Sequence, residues 1–376
     1  MKKIIKFNIS LSENIKKINN IFIEKGYDIF LVGGCVRDSL LKITPKDYDL
    51  ATNATPDTII LLLKGQPFVK NILLTGKAFG VINVITTSGE EYEVATFRSD
   101  GKYNDGRRPV SVKFGNIFDD ASRRDFRFNS LYYDIKKGEI IDFFDGINDL
   151  YKKIVRTVGN PIKRFREDSL RILRCIRFAA RFGSDIDPET SKAIKSGGFD
   201  LNGVSRERVR DEFLKGVKSA KSVVHFLNLL KEHNLMNWVF KNIGHNNDFI
   251  EESGYILLLA NLLKDNVVDL DSLNSSLKKN TYTNKEIKAI LFLVSLLKLN
   301  PDNSFVMKKA HNKSDVSDEQ IKKFAKLNGL DSNLIDAFLK FQFSITGDQV
   351  MKMRFKGQEI GKEMERIEIE RFKNLL

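Results

Sequence analysis

The sequence predicts an α+β protein: an N-terminal domain with a mixed or antiparallel sheet and helices, followed by an all-helical C-terminal half. Three observations carry this reading. Up to about residue 150 the chain holds short apolar runs linked by turns, without the regular crossover helices of a doubly wound sheet. From about Ile154 onward apolar residues recur at helical spacing in long segments. Only Pro188 and Pro301 follow Pro161, so little interrupts those segments.

Taken in order, Ile29–Val32 is an apolar run ending in Gly33-Gly34, a strand entering a tight turn. Val36-Arg37-Asp38 then opens a helix, and residues 47–52 read as the next strand. Val81–Thr86 and residues 91–97 flank Ser88-Gly89, a hairpin signal. Residues 97–109 are Gly-rich, polar and charged, the composition of a mobile loop. Residues 110–114 and 140–144 add strand-like pieces. Helical periodicity marks 164–182, 209–217, 222–232, 255–263 and 285–297, while the Asn/Lys-rich stretch 274–284 reads as a loop. A chain of 376 residues exceeds one ordinary core. The expected divisions are 1–152, 153–217, 218–300 and 301–376.

Lys and Arg number 62 against 49 Asp and Glu, a formal net charge of +13. That surplus suits a polyanionic partner, although surface lysines that merely solvate the fold explain it equally well. Cys35 and Cys175 stand too far apart in sequence for a zinc cluster or disulfide framework, which points to a reducing cytoplasm. No apolar run suggests a secretory signal or a membrane span. His225, His233, His245 and His311 show no ligand-like spacing.

The strongest local pattern is Gly33-Gly34 followed by Asp47-Tyr48-Asp49. Residues i and i+2 of a strand share a face, so Asp47 and Asp49 would stand side by side. Two such carboxylates repel unless they share a proton or a cation. Mg²⁺ suits them, with Mn²⁺ as a substitute, and a third carboxylate would complete a two-metal site for displacement at phosphorus. Glu93 is the candidate, with Glu91 as the fallback. The Gly33-Gly34 turn, the helix after it and Arg37 would cradle a triphosphate. Either fragment alone is commonplace; the strand-turn-helix-strand order makes them specific.

This run, from Leu31-Val32-Gly33-Gly34-Cys35-Val36-Arg37-Asp38 through Asp47-Tyr48-Asp49-Leu50-Ala51-Thr52, resembles the first motif of class II tRNA nucleotidyltransferases (the CCA-adding enzymes) and bacterial poly(A) polymerases of the polymerase β superfamily. Arg123-Arg124-Asp125-Phe126-Arg127-Phe128-Asn129, Arg164 through Arg174 and Ser205-Arg206-Glu207-Arg208-Val209 continue the resemblance in the expected order. It implies that Asp47, Asp49 and Glu93 hold the metals, and that Arg123, Arg124, Asp125 and Asn129 grip triphosphate and ribose. Arg127 departs from the threonine common there.

The resemblance also implies that Asp168 and Arg171 read the nucleobase, with Glu167 orienting Arg171. Cytosine and adenine both offer an amine beside a ring-nitrogen acceptor, which a carboxylate and a guanidinium complement. Uracil and guanine offer the reverse, and unpaired buried groups cost about 1–3 kcal/mol each. Arg171, Arg174, Arg177 and Arg181 form a basic helix side, by default a solvated stripe and otherwise available to nucleotide or RNA phosphates, opposite Ile172, Ile176, Ala179 and Ala180. The implied substrates are CTP, ATP and the tRNA acceptor end, with no obligate protein partner. Lys308, Lys309, Lys322, Lys323, Lys326 and Lys340 are candidate RNA contacts. The presence of the 97–109 stretch argues against an enzyme that adds only cytidines. Poly(A) polymerases usually carry Gly-Arg-Arg-Phe where this chain reads Leu74-Thr75-Gly76-Lys77-Ala78-Phe79-Gly80, which favours tRNA end synthesis. An adenosine-only enzyme and a non-catalytic tRNA-binding module are the remaining alternatives.

Overall fold

A computed structural model describes residues 2–101, 111–199, 201–252 and 254–376. Its contacts divide the chain into two compact units, Met1–Ser205 and Arg206–Leu376.

The first unit is built on an eight-stranded sheet. Its strands are β1 (Lys3–Lys6), β2 (Ile29–Val32), β3 (Tyr48–Thr52), β4 (Val69–Leu73), β5 (Val81–Thr86), β6 (Glu91–Thr96), β9 (Leu131–Asp134) and β10 (Glu139–Asp142). A separate two-stranded ribbon pairs β7 (Arg98–Asp100) with β8 (Val112–Phe114). The sheet order is β1-β10-β9-β2-β3-β6-β5-β4. Every neighbouring pair is antiparallel except β3–β6, so the sheet is mixed. Phe30, Val32, Ala51, Phe97, Ala121, Tyr132 and Ile141 form one buried cluster in this unit.

Several elements differ from the sequence reading. β1, β4 and β9 were not anticipated. β4 is an edge strand whose Val-Lys-Asn-Ile-Leu pattern alternates poorly, and β9 is buried along nearly its whole length, so neither shows period two. The strand expected over 140–144 ends at Asp142, whose carboxylate accepts from the backbone N–H groups of Phe144, Gly146 and Ile147 and turns the chain. In the loop expected over 97–109, residues 98–100 are strand, and residues 102–110 lie outside the described residues.

The helices of this unit are α1 (Glu13–Glu24), α2 (Gly34–Leu40), α3 (Pro56–Leu63), α4 (Ile117–Ser122), α5 (Gly146–Tyr151), α6 (Pro161–Glu167), α7 (Leu170–Phe182) and α8 (Pro188–Ser196). The helix expected over 164–182 is therefore two. Asp168 adopts φ −148°, ψ 104°, and its Oδ1 accepts from the N–H of Leu170 at 3.1 Å. A carboxylate that bonds to a nearby backbone N–H competes with helix continuation.

The second unit is helical: α9 (Arg206–Ser219), α10 (Val223–Glu232), α11 (Met236–Val239), α12 (Tyr255–Leu262), α13 (Leu270–Lys279), α14 (Asn284–Ser295), α15 (Ser304–His311), α16 (Asp318–Leu327), α17 (Ser332–Lys340), α18 (Gly347–Lys352) and α19 (Gln358–Lys373). Helix α13 overturns the loop expected over 274–284 as far as Lys279, and residues 280–283 connect it to α14. Leu273 and Leu277, one turn apart, are buried, Asp269 caps the N-terminus, and the Asn, Ser and Lys residues lie mostly on the outer face. Among the described residues no helix is long and apolar enough to cross a membrane.

Candidate active site

The parallel pairing of β3 with β6 sets Asp49 directly beside Glu93. Tyr92, Val94 and Leu50 turn into the core, and Glu93 alternates with them onto the exposed face together with Asp49. Asp47 lies one residue ahead of β3, exposed and close enough for its charge to act on Asp49. Although the residue is open to solvent overall, partial desolvation of its carboxyl, then the neighbouring Glu93 and Asp47 charges, push Asp49 up to about 6, against the pull of Arg124. Such crowding of negative charge calls for a cation, and an all-oxygen donor set fits a hard divalent one. Among the described residues no three acidic, histidine or cysteine side chains already converge at ligand spacing. Asp49 and Glu93 are the pair the fold itself brings together.

These two carboxylates line a cavity of about 200 Å³ with Arg98, Arg123 and Arg124. Arg98 figured in the sequence reading only as part of the 97–109 loop, not as a site residue; the available signal was its place at the end of the strand region that carries Glu93. Nor was Asp120 singled out. Its Oδ1 accepts from Arg123 Nε and Nη2 at 2.9 and 2.7 Å, and its Oδ2 from Arg124 Nε and Nη2 at 3.3 and 3.1 Å. The Tyr132 hydroxyl donates to Oδ2 and accepts from Arg124 Nε. Burial pushes the Asp120 carboxyl up, but Arg124 and Arg123 outweigh it and hold it at about 2. Its spacing of three and four residues before the two arginines was the legible clue.

Gly33 has φ +74°, a conformation that L side chains rarely adopt, and a Cβ there would lie 3.1 Å from Arg124 Nη1. Two expectations around this turn change. Arg37, expected to face the triphosphate, is 4% exposed and turned inward. It donates through Nε to Asp38 at 2.8 Å and through Nη1 to Asn129, and its guanidinium lies 5.2 Å from the ring centres of both Phe178 and Phe182. Asp125, expected to accept from a ribose, has its acceptor sites filled. Oδ1 takes the Phe126 N–H and Asn129 Nδ2, and Oδ2 takes Arg174 Nε and Nη2 at 2.8 and 2.6 Å. A carboxylate offers about four such sites. Although burial opposes it, Arg174 and Asn129 hold the Asp125 carboxyl far below its usual range. Asn129 is thus a bridge between Arg37 and Asp125.

Glu167 Oε2 accepts from Arg171 Nη1 at 2.8 Å, and Glu167 Oε1 accepts from Arg164 Nη2 at 2.8 Å. Arg171 Nη2 also reaches the Arg123 carbonyl at 3.1 Å, tying the start of α7 to the arginine pair that lines the cavity. The basic side of α7 is not the solvated stripe that the sequence suggested. Arg174 binds Asp125, Arg181 binds Asp38, and Arg177 is buried against the Phe178 ring. Ile172, Ile176, Ala179 and Ala180 are buried as expected.

Residues 29–156 match the family model described as the poly A polymerase head domain, and residues 183–245 match one described as a probable RNA and SrmB-binding site of polymerase A. A CCA-adding enzyme of Staphylococcus aureus is 33% identical over 330 residues, 87% of this chain and 76% of that protein. One of Lactobacillus johnsonii is 42% identical over 202 residues, 54% of this chain, and the match spans about half (48%) of that relative's length. The fold is similar to that of a Bacillus stearothermophilus CCA-adding enzyme solved in complex with CTP. There the TM-score is 0.70 at 23% identity, covering 95% of this chain and 92% of that one.

Proposed function

The chain belongs to the nucleotidyltransferase family of the CCA-adding enzymes and bacterial poly(A) polymerases, and from that premise we propose that it adds or repairs the 3′-terminal CCA of tRNA, using CTP and ATP without a nucleic-acid template. The observation that carries this reading is the in-register Asp49–Glu93 pair sharing a cavity with three arginines. In the reaction the RNA 3′-hydroxyl attacks the α-phosphorus of the nucleotide and pyrophosphate leaves. A divalent cation at Asp49 and Glu93, with Asp47 beside them, would ease loss of the hydroxyl proton and neutralise charge on the leaving pyrophosphate. Mg²⁺ is the cation proposed, with Mn²⁺ able to replace it.

Arg98, Arg123 and Arg124 offer the cavity fixed guanidinium groups for the triphosphate, held rigid in part by Asp120. Asp168 and Arg171 select the base, and Glu167 supports this by fixing the Arg171 guanidinium. Residues 1–152 carry the chemistry, 153–217 read the nucleotide, 218–300 form a helical body and 301–376 a helical tail that binds the RNA, in the cytoplasm. Lys308 leaves the set of RNA contacts: it is 2% exposed and donates to the carbonyls of Phe338 and Leu339. Lys326 and Lys340 are exposed and stay in it.

A second reading, synthesis of poly(A) tails, is favoured by the description of the matching head-domain model. Incubation with tRNAs ending before the C, CC and A steps, with CTP and ATP supplied separately, tests both. Stepwise addition of two cytidines and then one adenosine is expected. Extension of the CC-ending substrate alone would overturn full CCA synthesis, and long adenosine tails on generic RNA would favour the polymerase.

A further inference from the structure

Helix α7 is anchored twice to the elements around the glycine turn. Near its start, Arg174 holds Asp125. Two turns later, Arg181 Nη2 donates to Asp38 Oδ2 at 3.0 Å. The other oxygen of Asp38 accepts from Arg37, Arg37 donates to Asn129, and Asn129 Nδ2 donates to Asp125 Oδ1 at 3.0 Å. The contacts form a closed ring: Arg181, Asp38, Arg37, Asn129, Asp125, Arg174 and back along α7. Phe178 and Phe182, on the same face as Arg174 and Arg181, fill its interior against the Arg37 guanidinium.

Two anchors about 10 Å apart along a helix fix its rotation as well as its position; one anchor fixes position only. Arg171, one turn before Arg174, projects from the same helix. Asp38 belongs to α2, the helix that the Gly33-Gly34 turn opens. Asp38 and Arg181 are therefore the second joint between the element that reads the base and the element beneath the phosphates. The pair is well sheltered, with side chains 11% and 26% exposed, unlike a solvated surface ion pair.

We propose that Asp38 and Arg181 are positioning residues that set the rotation of α7 relative to the glycine turn, and so set nucleobase selection. This rests on the nucleotidyltransferase reading above. The test is equilibrium binding of CTP and of UTP to the full chain with Mg²⁺ and no RNA, for wild type, Arg181→Gln, Arg181→Met and Arg181→Lys. Arg181→Met keeps the aliphatic packing over Phe182 and guards against a variant that fails to fold. Loss of the joint is expected to cut the CTP-over-UTP affinity ratio by about tenfold, because a misplaced guanidinium no longer leaves the wrong base unpaired. Arg181→Lys, able to make the single contact to Asp38, should retain most of the ratio. General loosening of the fold would weaken both nucleotides together and leave the ratio alone. A wild-type ratio in either Gln or Met variant overturns the inference and leaves the functional reading standing. Failure of the wild-type chain to bind either nucleotide overturns both.

Discussion

Asp120 shows how one carboxylate can govern a site from behind. Both of its oxygens are occupied by the arginines that line the cavity, and Tyr132 closes the network. Replacement by Asn would leave two sheltered guanidinium groups without their counter-charge, at a cost of about 3–5 kcal/mol in denaturant unfolding. Its folded-state pKa lies below the unfolded value. The stabilisation is thus complete above about pH 4 and drains away as pH falls through about 2. Wild type and Asp120→Asn should differ most near neutrality and converge toward pH 2; parallel curves would show that Asp120 is not the titrating group. At this scale the sequence was informative about residue type and weak about partners. Asp49 and Glu93 were legible from strand alternation. The inward turn of Arg37 and the filled acceptor sites of Asp125 depend on Phe178, Phe182 and Arg174, which reach them only through tertiary packing.

At the scale of elements, alternation around a turn located β5 and β6, each with one buried face, and the apolar run into Gly33-Gly34 located β2. β9 is buried nearly throughout and gives no such signal, and α13 was obscured by Asn and Lys on its outer side. The break between α6 and α7 was hidden because Asp168 ends one helix while its neighbours suit a helix. The glycine turn yields a sharp contrast. Gly33→Ala combines a positive φ with a tight approach to Arg124, so about 1 kcal/mol of stability and about tenfold in kcat/KM for CTP should be lost. Gly34→Ala meets only an ordinary 3.7 Å contact and should be mild on both counts. Equal losses in steady-state assays of the two variants would contradict the role given to the turn.

For the molecule as a whole, a net charge of +13 makes polyanion binding a matter of counterion release. If about six phosphates are neutralised, tRNA affinity should fall on the order of a thousandfold between 50 and 200 mM salt, measured by filter binding or anisotropy. A flat salt profile would assign the lysines to solvation alone. The sequence anticipated a helical second half but did not locate the division after Ser205: Gly197-Gly198 and Gly203 punctuate the chain just before α9, but helical segments flank them on both sides, so they read as one more turn between helices.

The parallel pairing of β3 and β6 carries a consequence for how the chain comes alive. Parallel neighbours cannot be joined by a tight turn, and here α3, β4 and β5 are threaded between them. No local fragment, and no nascent chain short of β6, can contain both acidic residues in register. Maturation of the sheet and acquisition of chemical competence are one event, so half-made copies are silent rather than error-prone.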